Sequence, residues 1–355
     1  MRCSYFHHCL PYAIEEAPIH TPMRIAIVVN DVERESPLYT TILVACAVRE
    51  RGHFVYFVNV ADMLWDDSGV TLRARQVRSH GPLTSEALLQ EIQGASVEIE
   101  RLSASDIDLL WLRNEPSFEA LGRPWAQYIP FQFAQALKDE GVCVVSEPAS
   151  LSRAVADKLY SQKFPASVRP KTIVTRHLDD VIDLWSEHIG DLIMKPLHGG
   201  AGRSVFLLRD GYEPNLEQIF EAVSESGYVV VQHYVPEANL GSIRLFMLDG
   251  KILSMDGKPA ALLHLPKEGE LRSNFRVSGK IAPAILTDEV LAIAQIVGPI
   301  LEADGLFLVG LDIAGGKLLE ANVFSPGGLR GAERMQGVPF SQVVADALER
   351  KLHIS

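Results

Sequence analysis

Near the carboxyl end of this 355-residue chain, the run from Leu311 to Gly328 reads LDIAGGKLLEANVFSPGG. Asp312 and Glu320 flank an AGGK turn, and Asn322 follows two residues later. Side chains alternate faces along a strand, so Glu320 and Asn322 share one face, and Asp312 reaches the same point from the partner strand if it points inward. Two carboxylates and an amide carbonyl are hard oxygen ligands, suited to Mg²⁺ rather than to zinc or copper. Mg²⁺ favours a few carboxylates plus substrate phosphates, which points to a nucleotide triphosphate as the partner. A solvated turn edge with a capped asparagine is the alternative reading of these residues.

Three further groups could carry chemistry. In LIMKPLHGGAGRSVFLL, Lys195 ends an apolar strand and is followed by Gly199, Gly200 and Gly202. Glycines let backbone N–H groups approach an anion, and the lysine adds a point charge. The loop is neither a Walker A sequence nor a G-x-G-x-x-G fingerprint, so a plain turn remains the alternative. In ELRSNFRVSGK, Arg272, Arg276 and Lys280 surround Asn274, and arginine forks bind carboxylate and phosphate oxygens bidentately. Arg244 stands in the middle of the apolar strand SIRLFML and needs an anionic partner if it faces inward. His198 and His264 have no nucleophile nearby in sequence, so surface or packing roles suit them better than a catalytic base.

The elements around these residues belong to an ordinary globular chain, 47% hydrophobic and 22% charged, long enough for two or three domains. A formal net charge of -12 argues against a general nucleic-acid binder, while leaving room for one small anionic ligand in a local basic pocket. Cys3, Cys9, Cys46 and Cys143 form no CxxC pair, which speaks against a disulfide framework or structural zinc, and Cys46 and Cys143 read as small buried hydrophobes. No apolar run is long enough to span a membrane, and residues 1–22 read as a loose extension without a secretory signal. The cytoplasm is the expected location.

From Met23, MRIAIVVND is a buried strand, LYTTILVACAVRERG a helix stopping at Gly52, and HFVYFVNV a second strand. This β-α-β start implies a parallel sheet covered by helices, continuing through IDLLWLR and VCVVSEP to residue 150. PKTIVT, DLIMKP, SVFLL and YVVVQHYV are strands of a compact α+β unit with two helices, around 178–189 and 215–226. A hairpin turning at Asp249-Gly250 follows, then an amphipathic helix with Thr287 as N-cap and Gly305 as terminator. The LFLVGLDIAGGKLLEANVF hairpin and a helix over about 339–351 close the chain.

The ordered set resembles the ATP-grasp ligases, and most closely the bacterial glutathione synthetases. ADKLYSQKFP resembles the family's N/D-K-L stretch, IMKPLHGGAGRSVF its K-P-L-x-G-x-G-G segment, LRSNF its R-G-N-L loop, and FVGLDIAGGKLLEANVFSPGG its F-V-G-L-D-I…E-I-N-V-x-S-P segment. LRNEPSFE is similar to the family's R-K-D-P-P-F-D, and the likeness spans about 23 to 350. It implies an ATP-grasp fold, α/β and α+β, divided into the extension 1–22, a parallel-sheet α/β substrate-side domain over 23–150, a central lid over 151–228 and an antiparallel-sheet catalytic domain over 229–355.

The resemblance implies ATP and two Mg²⁺ ions, with Mn²⁺ as an alternative. Lys158, Lys195 and the glycines 199, 200 and 202 would meet the phosphates. Gln232, His233, Tyr234 and Val235 would read adenine through backbone groups, and Asp312, Glu320 and Asn322 would hold the metals. Arg244, Arg272 and Asn274 would meet the reacting carboxyl and the transferred phosphate, with Arg113, Ser325, Gly327 and Gly328 beside the substrates. The partners are two small molecules, a carboxylate and an amine donor, with a homo-oligomer left open and no nucleic acid or membrane expected.

ATP would convert the carboxylate into an acyl phosphate that the amine attacks, giving glutathione from γ-glutamylcysteine and glycine. The chain departs from the family pattern at Ser146-Glu147-Pro148, at Leu240-Gly241-Ser242 (where a ribose contact would be either lost or taken over by Glu237 or Asn239), at His264 where arginine is common, and at SPGG in place of SPT. All of these lie where ribose or substrates are read, so a ligase for another amino-acid or peptide pair is the alternative, beside a non-catalytic ATP-binding regulator and a kinase that stops after phosphoryl transfer.

Overall fold

Three sheets follow one another along the chain in the computed structural model, which describes residues 21–353 apart from 80, 121, 156, 188, 199–203, 212, 226 and 267–279. The first contains β1 (Arg24–Val29), β2 (Phe54–Asp66), β3 (Gly69–Val77), β4 (Glu100–Ser103), β5 (Leu109–Leu112) and β6 (Cys143–Val145). Their spatial order is β4-β3-β2-β1-β5-β6, with β2, β1, β5 and β6 parallel and β3 and β4 antiparallel. Ile25 to Val29 are all buried, as a central strand covered on both faces requires. The crossover α1 (Thr40–Glu50) stops ahead of Gly52, whose φ of +91° permits the reversal into β2. The strand expected to end at Val60 instead runs to Asp66 and turns back into β3. A register shift between Val58 and Met63 breaks the alternation that would have revealed this hairpin. Helices α2 (Ser85–Ile92) and α3 (Ile129–Asp139) complete the layers. Cys46 and Cys143 are half-buried thiols rather than core residues.

After α4 (Pro148–Ala154) and α5 (Asp157–Tyr160), the central sheet is antiparallel, ordered β7-β10-β8-β9, from β7 (Thr172–Thr175), β8 (Leu192–Pro196), β9 (Phe206–Leu208) and β10 (Val229–His233). Helices α6 (Leu178–Ser186) and α7 (Leu216–Ser224) pack on it around a separate core that includes Val181, Leu184, Phe220, Met194 and Val231. The boundary expected at residue 228 falls just ahead of β10, which pairs with both β7 and β8, so strand pairing carries the central sheet on to His233.

The third sheet takes β11 (Ser242–Leu248), β12 (Lys251–Ile252), β15 (Ala261–Leu265), β16 (Lys280–Ala282), β17 (Leu308–Ala314) and β18 (Lys317–Asn322), while β13 (Ser254–Met255) and β14 (Lys258–Pro259) make a small ladder of their own. Its order is β16-β15-β11-β17-β18, with β12 on β11. Asp249 and Gly250 turn β11 into β12 with φ of +48° and +73°. Helix α8 (Asp288–Ala303) passes so close to this turn that a Cβ on Gly298 would lie 2.2 Å from the Gly250 carbonyl oxygen. As the sequence predicts, Thr287 caps α8 by accepting from the Val290 N–H, and Gly305 ends it at φ +62°. Helices α9 (Leu329–Gln336) and α10 (Phe340–His353) finish the chain.

Two apolar clusters run through both the first and third sheets, joining Trp111 to Phe307 and Phe131 to Phe324 by ring contacts. Helix α10 also pins the end of α1: Arg51 donates to both carboxylate oxygens of Glu349, at 2.6 and 2.5 Å, and the His53 ring contacts Glu349 at 2.6 Å. The first and third sheets therefore form one packed body, and the central sheet stands apart with its own core.

Candidate active site

The β17–β18 hairpin forms the floor of the site. Its register sets Asp312 opposite Glu320 and Gly310 opposite Asn322, across a Gly315-Gly316 turn with φ of +52° and +64°. Asn322 donates from Nδ2 to Asp312 Oδ2 at 3.2 Å, so two of the three expected metal ligands touch, and Glu320 stands across the ladder from Asp312. On the other side of β17, Arg244 of β11 is in register with Asp312. Its Nε and Nη2 donate to the two Asp312 oxygens at 2.6 and 2.7 Å, and Nη1 donates to the Gly327 carbonyl at 3.1 Å. Gly310 makes room for this fork, since a Cβ there would lie 2.8 Å from Arg244 Cδ. The anionic partner that Arg244 demands is thus the candidate metal ligand itself.

Burial alone would push the Asp312 carboxyl up, but the charge and hydrogen bonds of Arg244 outweigh it and hold the group below the usual carboxylate range. Burial likewise works against the Arg244 cation, and Asp312 and Glu320 override it. Each carboxylate oxygen has two lone pairs, so Asp312 can serve Arg244 and a cation together. Among the described residues no three His, Cys, Asp or Glu side chains cluster as a metal site. The donor set is instead two carboxylates and an amide, which fits Mg²⁺ with waters and phosphates filling the rest of its shell. His264 is buried on β15 opposite Ser242, and burial, aided by Arg244, lowers its pKa to about 4. It is a neutral imidazole at pH 7, and a Cβ on Gly328 would lie 4.0 Å from its Nε2.

A narrow cleft opens between the central sheet and β18, lined by Lys158, Arg169, Lys195, Gln232, Leu318 and Glu320 among others. Lys195 lies opposite Val230 on β10 and donates to Gln232 Oε1 at 3.2 Å, and Gln232 Nε2 in turn donates to Thr172 Oγ1 at 3.2 Å. Lys158 reaches across to the Leu197 carbonyl at 3.1 Å. Three cations around one cleft, with Glu320 on its wall, suit a polyphosphate and its metal. Arg169 escaped the sequence reading because it lies in SVRPK, a stretch with no glycine loop or strand end to mark it.

The segment expected to read adenine is partly committed. His233 and Tyr234 donate their N–H groups to Lys171 O and Asp191 O, at 2.9 and 3.0 Å, so an adenine edge must use the remaining backbone groups of 232–235. Glu237 packs against the AGGK turn, where a Cβ on Gly315 would come within 2.5 Å of its Oε2. Gly199, Gly200, Gly202, Arg272 and Asn274 lie outside the described residues.

Arg113, expected beside the substrates, follows β5, stacks 4.9 Å above the Trp111 ring, and donates to Thr41 Oγ1 and Phe324 O at 3.1 and 3.2 Å. Its Phe324 contact ties it to the loop Ser325–Gly328, in which Gly327 faces open space and Gly328, at φ +102°, starts α9.

The model for the prokaryotic glutathione synthetase N-terminal domain matches residues 23–152, and that for the prokaryotic glutathione synthetase ATP-grasp domain matches residues 157–337. Glutathione synthetase of Salmonella typhimurium is 32% identical over 315 residues, covering 88% of this chain and 93% of that one. The Escherichia coli K12 enzyme of the same name is 31% identical over 306 residues, covering 86% and 90%. Among solved structures, the D-cycloserine synthetase DcsG superposes with a TM-score of 0.59 at 15% identity, over 91% of this chain and 99% of that one. VanG D-Ala:D-Ser ligase from Enterococcus faecalis reaches 0.60 at 14% identity, over 94% and 100%, and at such identities the likeness bears on the fold alone. Matched along nearly the whole described chain, the protein belongs to the prokaryotic glutathione synthetase family of the ATP-grasp superfamily.

Proposed function

We propose that the protein is an ATP- and Mg²⁺-dependent ligase that joins the cysteinyl carboxylate of γ-glutamylcysteine to the amine of glycine. The observation that carries this reading is the facing of Asp312 and Glu320 across β17–β18, with Arg244 on one side and the lysine-lined cleft on the other. Bound ATP, with two Mg²⁺ or Mn²⁺ ions, supplies the phosphoryl group that makes the carboxylate reactive toward an amine. Asp312, Glu320 and Asn322 hold the metal, and Lys158, Lys195 and Arg169 place positive charge along the phosphates. Arg244, fixed by Asp312, keeps its guanidinium beside the Gly327 carbonyl, where it can orient the reacting carboxyl. The central sheet covers the cleft and keeps water from the activated acyl group. The cytoplasm is the location this reading takes for the reaction, as for the family it resembles. No helix among the described residues is long and apolar enough to cross a membrane.

A second reading, a ligase for another amino-acid or peptide pair, is favoured by the open space at Gly327, which leaves room beside the substrate loop. A panel of carboxylate and amine pairs, scored for ADP release and product mass, decides between them. Highest activity with γ-glutamylcysteine plus glycine is expected, and much higher activity with another pair refutes the glutathione assignment. ADP release that ignores the amine identifies a kinase, and none with any pair identifies a regulator.

A further inference from the structure

Between the first and central sheets the chain passes through α4, α5 and a turn, and the buried side chains of this stretch pack with the first and third sheets. Leu151, Ala154, Val155, Tyr160, Phe164 and Val168 all lie in the apolar cluster that those two sheets share. The backbone is held there as well. Leu318 of β18 donates its N–H to the Val168 carbonyl at 2.7 Å, and Lys317 Nζ donates to the Ser167 carbonyl at 2.8 Å. This strap therefore belongs to the body that carries Asp312 and Glu320, although it leads into the sheet that carries Lys195.

One buried carboxylate anchors the start of the strap. Asp304, the C-cap of α8, accepts from the Tyr160 hydroxyl at 2.8 Å. Lys163 Nζ lies 2.5 Å from both Asp304 oxygens, and 5.8 Å from the centre of the Tyr160 ring. Burial, and then the hydrogen bond and charge of Asp304, raise the Tyr160 pKa, so the hydroxyl keeps its proton and remains a donor. The chain just after Asp304 is fixed in turn to the end of the first sheet. Glu147 N–H donates to the Gly305 carbonyl at 3.0 Å, and Phe307 N–H donates to Ser146 Oγ at 2.9 Å. Helix α5 has only four residues and no stability of its own, so it keeps its place through the contacts that Tyr160 and the following turn make.

Lys158 sits on that same short helix, two residues ahead of Tyr160. It lines the cleft beside Glu320 and reaches the Leu197 carbonyl of the central sheet at 3.1 Å. Arg169 lines the cleft from the far end of the strap, where the Val168–Leu318 hydrogen bond secures it, which leaves Lys158 as the cation that depends on Asp304. Asp304 does not line the cleft and acts only through the residues it holds. We propose that Asp304 is a positioning residue of the nucleotide site: through Tyr160 and Lys163 it fixes α5, so that Lys158 meets the phosphates from the body while Lys195 meets them from the central sheet. A phosphate chain gripped by one body-borne and one sheet-borne cation is held in full only when the two parts are together. This inference rests on the nucleotide site of the ligase reading above.

The test measures Mg-ATP binding by titration calorimetry in wild type, Lys158→Met, Asp304→Ala and the double variant. Asp304→Ala is expected to weaken binding by about 10-fold, the loss of one well-placed charge-assisted contact, and Lys158→Met by at least as much. Adding Asp304→Ala to Lys158→Met is expected to change the affinity by less than about two-fold, because the side chain being positioned is then gone. In initial-rate kinetics, Asp304→Ala should leave KM for γ-glutamylcysteine and glycine, or for the pair that wild type joins best, within about two-fold. Losses that multiply in the double variant show a general support of the fold and overturn the proposal. Wild-type affinity in either single variant overturns it as well. Should Asp304→Ala fail to fold, Lys163→Met, at a side chain 48% exposed, is expected to weaken binding by about 3-fold in the wild-type background and not in the Lys158→Met background. An equal effect in both backgrounds, or none in either, is equally fatal. A wild type that does not bind Mg-ATP instead sinks the nucleotide reading itself and takes this inference with it.

Discussion

Glu349→Gln tests how firmly the last helix is bolted to the first sheet. Glu349 is 3% exposed on α10 and accepts from Arg51 at 2.6 and 2.5 Å. The Met23 N–H donates to His53 Nδ1, which leaves His53 Nε2 to donate to Glu349 at 2.6 Å. Burial alone would raise the Glu349 pKa, but the hydrogen bonds from Arg51 and His53 outweigh it and bring it from 4.5 down to about 2. At about 1.4 kcal/mol per unit, ionised Glu349 contributes about 3 kcal/mol to folding at pH 7. Because the folded value is the lower one, this contribution is complete above the unfolded pKa and is lost as pH falls towards the folded one. Linkage gives less than half of it at pH 3. Urea unfolding of wild type and Glu349→Gln, followed by the fluorescence of the buried Trp111, should differ by about 3 kcal/mol at pH 7 and by about 1.4 kcal/mol at pH 3. A difference below about 1 kcal/mol at pH 7, or one equal at both pH values, would refute the reasoning.

Three substitutions probe the site and its support. Glu320→Ala removes one of two metal carboxylates and should lower ADP formation by about 1,000-fold or more while the melting temperature stays within a few degrees, as measured by a coupled ADP assay and calorimetry. Gly315→Ala puts a Cβ into the space of Glu237 at a φ of +52°, so KM for ATP should rise by about 10-fold with kcat largely kept, in initial-rate kinetics. Gly298→Ala drives a Cβ against the Gly250 carbonyl far from the cleft, so urea unfolding should show a loss of about 3 kcal/mol, while KM for ATP is unchanged.

Much of this was legible in the sequence where local rules decide the outcome. Strand alternation is enough to put Glu320 and Asn322 on one face, and the Thr287 cap and the two glycine-bearing hairpin turns have their own chemistry. The need of Arg244 for an anion was also readable, because an arginine amid apolar strand residues has few alternatives. Its partner was not, since β11 and β17 are neighbours in the sheet and far apart in the chain. The β2–β3 hairpin hid behind a bulge that disturbs its period. Asn114 and Thr40 carried no signal at all. Both are buried with side-chain atoms unmet among the described residues, and that is a property of three-dimensional packing. The committed N–H groups of His233 and Tyr234 belong to the same class, because pairing with Lys171 and Asp191 is non-local.

The central position of β10 has a mechanical consequence. It pairs with β8 beside Lys195 and runs on into the segment 232–235, so the lysine proposed for the phosphates and the edge proposed for the base are parts of one plate. Any rotation of that plate about the chain after His233 moves both together, while Asp312 and Glu320 stay with the body formed by the first and third sheets. Opening would therefore pull the two ends of a bound nucleotide apart from the metal floor in a single swing. On the proposed function, departure of the spent nucleotide and exposure of the reaction chamber would then be one event.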